Sequence, residues 1–187
     1  MVFSALHPAD RNALDVGCGE GGLARELRRR LPSVTGIDSD VESVELAIAQ
    51  DTVGDIDFRC GDFMTADLEP ASFDLVSCVA TLHHLDGAAA LQRMRALVRP
   101  GGRLVVVGLA QAKIPADLGW ELLGSISHRW HTRKQRAWEH PSPVIWPPPM
   151  TFREMRTLTD EMLPGRRFRR HVLWRFSVVW TRQLESF

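Results

Sequence analysis

Three sets of residues in this 187-residue chain stand at spacings that could do chemistry. The stretch Asp15-Val16-Gly17-Cys18-Gly19-Glu20-Gly21-Gly22 places a carboxylate directly before a glycine-rich run. Asp38 closes a short apolar run, Asp62 follows Gly61, and His83 and His84 are adjacent. A missing Cβ permits the positive φ of a tight turn and lets a ligand lie against the backbone. A carboxylate offers two acceptor oxygens to hydroxyl or ammonium donors. Imidazole titrates near neutrality and can take up a proton at physiological pH. These residues point to a polar ligand seated on a glycine loop, with proton-transfer groups nearby.

Two patterns fit the loop equally. Gly17, Gly19 and Gly22 match G-x-G-x-x-G, with Asp38 about 20 residues further on, as an NAD(P)-dependent oxidoreductase requires. Gly17, Gly19 and Gly21 match Asp-x-Gly-x-Gly-x-Gly. The glycines alone leave the choice open, a purely structural turn included.

The elements that must position these residues alternate. Ala13 to Val16 reads as a buried strand, and Leu23, Leu27 and Leu31 recur at a helical period after the glycines. Val34 to Ile37 is a second strand. Ser39-Asp40-Val41-Glu42 offers a capping box for a helix that buries Val41, Val44 and Ile48. Ile56 to Cys60 and Phe73 to Cys78 are strands three and four, and Val79 to Asp86 is a loop that carries the histidines. Leu91, Met94 and Val98 line a helix that Pro100-Gly101-Gly102 terminates. Leu104 to Val107 is a fifth strand, continuously apolar as a strand covered on both faces should be. This order predicts a largely parallel α/β sheet whose ligands bind at the carboxyl ends of the strands. Beyond it, Leu118, Leu122, Ile126 and Trp130 form an amphipathic stripe, followed by a segment rich in proline. Thr151-Phe152-Arg153-Glu154 is a second capping box, opening a helix with Met155, Leu158 and Met162 inward. Residues 166–182 read as two strands, the last with Phe176, Val178 and Trp180 on one face.

Composition narrows the class. The length suits one domain, and no apolar run approaches the roughly 20 residues of a membrane span. With no basic leader, no signal peptide is expected. Cys18, Cys60 and Cys78 read as reduced, part-buried thiols of a cytoplasmic protein. Net charge is zero, but residues 1–108 carry 10 Arg against 16 Asp and Glu, and residues 109–187 carry 13 Lys and Arg against 7 acids. The basic half leaves an acidic acceptor or a membrane-surface contact open. His128, His131 and His140 lack a completing carboxylate or thiol, so no metal site is expected.

In order and spacing, Leu14–Gly21, Asp38, Gly61-Asp62-Phe63, Phe73-Asp74-Leu75-Val76 and Leu97-Val98-Arg99-Pro100-Gly101-Gly102 resemble the successive motifs of class I S-adenosylmethionine (SAM) dependent methyltransferases. Leu82-His83-His84 is similar to a pattern of the small-molecule branch. The resemblance spans residues 12–108. It favours this family over a nicotinamide enzyme, which accounts for Asp38 but neither for Gly61-Asp62 nor for the Pro-Gly-Gly before strand five. It implies a Rossmann-like, seven-stranded, mostly parallel sheet with an antiparallel last strand. It also implies methyl transfer from SAM to an oxygen, nitrogen or carbon of a small-molecule acceptor. The alternatives are a SAM-binding module without catalysis and, behind it, an NAD(P)-dependent oxidoreductase.

The resemblance further implies site roles. Gly17 and Gly19 pass under the methionyl part of SAM, Gly21 completes the cofactor-binding glycines, and Asp15 bonds toward the ammonium directly or through water. Asp38, with Ser39 beside it, takes the ribose hydroxyls. Asp62 accepts from the adenine amino group, the Phe63 amide meets a ring nitrogen, and Val79 lines the methionyl end. His83 and His84 are the candidate bases. The amino-nucleobase tetrad is replaced by Cys78-Val79-Ala80-Thr81, which argues against a nucleic-acid substrate. About a dozen residues precede the first strand where relatives carry lid helices. Residues 110–150 are therefore expected to supply a substrate cap within the single domain 1–187.

Overall fold

The computed structural model describes residues 1–111, 147–172 and 174–184. The helical stripe of Leu118 to Trp130, His128, His131 and His140, and most of the expected cap lie outside the described residues.

Seven strands form one sheet in the order β3-β2-β1-β4-β5-β7-β6. They are β1 (Asn12–Val16), β2 (Ser33–Asp38), β3 (Asp57–Cys60), β4 (Phe73–Val79), β5 (Val98–Leu109), β6 (Arg167–Arg170) and β7 (Arg175–Thr181). The first five are mutually parallel, and β7 runs antiparallel to both β5 and β6. Helices α1 (Gly22–Arg28), α2 (Val41–Gln50), α3 (Gly87–Leu97) and α4 (Phe152–Met162), with two 3₁₀ turns at Phe3–Ala5 and Leu82–His84, complete the described elements. This is the predicted α/β architecture, antiparallel strand included.

The core has two halves, as a sheet covered on both faces demands. Ala24 and Leu27 of α1 pack with Ala13, Val34, Leu75 and Val105 on one face. Ala90, Leu91 and Met94 of α3 and Phe152 and Met155 of α4 pack with Leu14, Val76, Val106 and Val178 on the other. Alternate residues of β1, β4 and β5 thus serve opposite faces, which is why the stretch Leu104 to Val107 of β5 reads as an unbroken apolar run. At the amino edge of the sheet, buried Asp74 accepts from the Arg11 and Asn12 amides at 2.7 and 3.0 Å and meets the Arg99 guanidinium. Buried Asp10 pairs with Arg103.

Four expectations need correction. The helix after Asp38 is capped by Asp40, which accepts from the Ser43 amide at 3.0 Å, and not by a Ser39–Glu42 box. The Asp40 amide is itself drawn to the Asp38 carboxylate, which moves the helix start one residue on. Its buried face is therefore Ser43, Val44 and Ala47, while Val41 and Ile48 are 58% and 56% exposed. Pro100-Gly101-Gly102 does not end α3. The chain passes directly from Leu97 into β5, and those residues occupy a register shift opposite Phe73 and Leu75. Cys60 is exposed rather than part-buried, because β3 is an edge strand.

The capping box at α4 is present as expected: the Glu154 amide donates to Thr151 Oγ1 at 3.3 Å, and the Thr151 amide donates to Glu154 Oε2 at 2.8 Å. Gln111 and Thr151 form a parallel bridge. The segment between them therefore leaves and returns at one point beyond the carboxyl end of β5.

Candidate active site

The residues given roles in SAM binding or proton transfer fall at or just beyond the carboxyl ends of the adjacent strands β3, β2, β1 and β4. The loop after β1 is held from below. The Gly17 and Cys18 amides both donate to the Ile37 carbonyl, at 2.8 and 3.1 Å, and the Gly21 amide donates to the Cys18 carbonyl at 2.9 Å. Gly17, Gly19 and Gly21 have φ of 70°, 50° and 75°, left-handed values that side-chain-bearing residues rarely take. Gly17 is required on a second count. A Cβ there would lie 2.0 Å from Thr81 Oγ1, so the Thr81 side chain closes one flank of the loop.

Asp38 ends β2, half-buried, and its carboxylate organises the loop. Oδ2 accepts from the Gly19 amide at 2.8 Å and Oδ1 from the Asp40 amide at 3.0 Å. Two acceptor positions on those oxygens are left for a ligand. The Asp38 carbonyl accepts from the Gly61 amide at 2.8 Å, which ties the end of β3 to the same point. Ser39 is exposed beside it. Asp62 is exposed, with Oδ1 taking the Met64 amide at 2.8 Å and its carbonyl taking the Thr65 and Ala66 amides. It therefore caps a turn and keeps Oδ2 for other donors. The Phe63 side chain is buried in the core, and its carbonyl accepts from Arg93 Nε at 2.7 Å. Val79 is half-buried, and Thr81 Oγ1 donates to its carbonyl at 3.1 Å.

Asp15 is only 2% exposed. In register it lies between Gly36 of β2 and Ser77 of β4, and Ser77 Oγ is 2.9 Å from Asp15 Oδ1. Ser77 Oγ is also 3.2 Å from the Leu14 carbonyl. The hydroxyl can donate to Asp15 when that carboxyl is ionised. When Asp15 is protonated, it can accept from Asp15 and donate to Leu14, so both states are satisfied. Burial pushes the Asp15 carboxyl up from 3.8 to about 7; the Ser77 bond opposes this and the Asp38 charge adds to it. Burial, then Asp15 and Asp38, also raise the Cys18 thiol, and burial with Asp15 pushes Cys78 up to about 12, so both thiols are neutral and unreactive at pH 7. Asp15 thus differs from Asp10 and Asp74. Those buried carboxylates each meet an arginine, whereas among the described residues no cation pairs with Asp15. A buried carboxylate without a counter-charge suits a cationic ligand.

After β4 the backbone is strained at Ala80, φ 57°, which costs about 1–2 kcal/mol for a residue with a Cβ. Strain of this kind gathers at functional sites. A single 3₁₀ turn, Leu82–His84, follows. Leu82 is buried, His83 half-buried and His84 exposed, with the two imidazoles 4.1 Å apart between centroids. Burial, then the His84 charge, lowers the His83 pKa, so His83 is neutral at pH 7 and able to accept a proton. Its buried Nδ1 has no hydrogen-bond partner among the described residues. Ser77, Ala80 and Thr81 have no site role that the sequence assigns. Ser77 stands out only once the register of β1 and β4 is known, and Thr81 only as the side chain that fills the space at Gly17.

The site has the features a SAM site needs: a glycine cradle, a carboxylate with free acceptor capacity at the end of β2, and a buried anion under the loop. A family described as a methyltransferase domain matches residues 14–106. An uncharacterized methyltransferase of Mycobacterium tuberculosis is 40% identical over 168 residues, which cover 89% of this chain and 85% of that protein. A ubiquinone biosynthesis O-methyltransferase of Idiomarina loihiensis is 37% identical over 134 residues, 64% of this chain and 54% of that protein. The chain thus spans about half the length of that second relative. In fold, a SAM-dependent methyltransferase of Methanosarcina mazei superposes with a TM-score of 0.68 at 21% identity, over 98% of this chain and 97% of that one. The chain belongs to the class I SAM-dependent methyltransferase family, and SAM is its methyl donor. Among the described residues no helix is long and apolar enough to cross a membrane.

Proposed function

We propose that this protein transfers the SAM methyl group to an oxygen of a small-molecule acceptor, with His83 as the base. The observation that carries the reading is the convergence, at the carboxyl ends of the strands, of the glycine loop, a buried carboxylate with no cation partner among the described residues, and a half-buried histidine. The likeness to ubiquinone biosynthesis O-methyltransferases supports oxygen over nitrogen or carbon.

The methyl of a sulfonium is already electrophilic, so the donor supplies the leaving group and the protein chiefly supplies alignment. Asp15 faces the cationic methionyl end and is held ionised by it. The backbone of Gly17 to Gly21 carries the chain of the donor, with Val79 along its side. Asp38 turns its remaining acceptor positions to the ribose hydroxyls, next to Ser39. Asp62 Oδ2 accepts from the adenine amino group, and the Phe63 amide faces the ring. His83 takes the proton of a hydroxyl acceptor as its oxygen becomes nucleophilic, and His84, whose ring centroid is 4.1 Å away, is the second candidate.

Residues 110–150 form the substrate cap of the single domain. The bridge between Gln111 and Thr151, with the Gln111 amide 2.8 Å from the Met150 carbonyl, supports this by fixing both ends of the segment beyond the carboxyl end of β5. Ligands of open α/β sheets sit at this edge. The test is transfer of labelled methyl from SAM to a panel of small phenols, alcohols and amines. A labelled ether from a hydroxylated acceptor supports the reading. Strong SAM binding with no labelled product from any acceptor would make the chain a non-catalytic SAM-binding module. A variant with residues 115–140 replaced by a short linker should keep SAM binding and lose transfer; undiminished transfer would refute the cap.

A further inference from the structure

Gly36 is a glycine without a conformational reason. It lies inside β2, where glycine weakens a strand, and its φ is outside the left-handed region that Gly17, Gly19 and Gly21 occupy. The reason is steric. A Cβ at Gly36 would lie 2.9 and 3.0 Å from Cδ1 and Cε1 of Phe58, and 3.1 Å from Cys18 Cβ. A Cβ at Gly21 would lie 2.5 and 2.9 Å from Cζ and Cε1 of the same ring, and 3.1 Å from Ala47 Cβ of α2. One aromatic ring therefore occupies the room that two glycines leave.

Phe58 pairs in register with Gly36, and it is the one residue of β3 that is not exposed. An aromatic laid over a glycine on the neighbouring strand is an established way of stiffening a sheet. Here the ring also reaches the loop. The first half of that loop is hydrogen-bonded to the end of β2 through Gly17, Cys18 and Gly19. The second half, at Gly21, has the turn to Cys18 and the packing of Phe58 and Ala47 beneath it.

We propose that Phe58 is a positioning residue of the donor site: seated on Gly36, its ring braces Cys18 to Gly21 and holds the loop amides in place relative to Asp38. The proposal rests on the loop being the SAM site. Phe58 meets no reacting atom in this account, so its loss acts on donor affinity and loop order and leaves the transfer step at saturating SAM unchanged.

The test uses the full chain and the variants Phe58→Ala, Phe58→Leu, Gly36→Ala and Gly36→Ala/Phe58→Ala, each first checked for a cooperative melt. Three quantities are read: SAM affinity by calorimetry, amide exchange of residues 17–22 without ligand, and kcat against KM for SAM. Phe58→Ala should weaken SAM about tenfold and speed loop exchange by a similar factor, with kcat within about twofold. Phe58→Leu, which keeps an apolar filler, should fall between it and wild type. Gly36→Ala should weaken SAM as well, and the double variant should bind better than Gly36→Ala alone, because the two closest approaches go with the ring and only the 3.1 Å approach to Cys18 Cβ remains. Wild-type affinity and exchange in a folded Phe58→Ala would overturn the brace, as would fully additive losses in the double variant. If Phe58→Ala fails to fold, Phe58→Leu decides by the same two quantities. If wild type itself fails to bind SAM, the site reading has failed, and amide exchange alone still decides whether the ring braces the loop.

Discussion

Replacing Asp15 by Asn tests the electrostatic heart of the site. The folded protein holds the Asp15 proton far more tightly than an unfolded chain does, with a pKa of about 7 against 3.8. At about 1.4 kcal/mol per pH unit, this difference is worth about 4 kcal/mol. Its sign is fixed by its direction. The neutral carboxyl's contribution is complete below about pH 4 and is lost as pH rises through about 7. About 3 kcal/mol of that loss falls between pH 5 and 8. An asparagine has no proton to lose and keeps an oxygen for the Ser77 hydroxyl. Urea unfolding of ligand-free protein at pH 5 and pH 8 should show the wild type losing about 3 kcal/mol more than Asp15→Asn over that interval. Titrations elsewhere in the chain are common to both proteins and cancel. Equal declines in the two proteins would mean that Asp15 is ionised throughout, and that no uncompensated buried carboxylate exists for a cation to pair with.

Three further outcomes follow from the same geometry. If the cationic donor needs Asp15 ionised, SAM affinity should tighten about tenfold from pH 6 to pH 8, following the ionised fraction, and Asp15→Asn should lose this slope; calorimetry at the two pH values reads it. Asp38→Ala should cost about 1.5–3 kcal/mol of SAM affinity, the scale of hydrogen bonds to a charged group, and an unchanged affinity would leave Asp38 a loop tie only. His83→Ala should lower turnover on the order of 100-fold with SAM affinity kept, while full turnover in both His83→Ala and His84→Ala would leave catalysis to alignment alone.

What was legible in the sequence was whatever is decided by near neighbours. The apolar run of β1, its end at Gly17, and the Thr151–Glu154 capping box are local patterns, and the structure has all three. The phase of α2 is not legible from near neighbours, because its start is set across the sheet edge. The Asp38 carboxylate takes the Asp40 amide, and the small Ser43 and Ala47 then face inward in place of Val41 and Ile48. Pro100-Gly101-Gly102 looked like a helix stop, yet its place in β5 depends on pairing with Phe73 and Leu75. In the site, the carboxylates and glycines announce themselves by type and spacing. Ser77, Thr81 and Phe58 do not, because what they do depends on parallel register: Ser77 meets Asp15, Phe58 meets Gly36, and Thr81 fills the notch at Gly17.

The most direct measurement is a crystal structure of the protein with S-adenosylhomocysteine. The account predicts the product lying over Gly17 to Gly21, its ammonium toward Asp15, and both ribose hydroxyls on the Asp38 carboxylate, which keeps its bond to the Gly19 amide. A product bound elsewhere, or one lying on the loop with Asp38 joined only to Gly19 and Asp40, would contradict it.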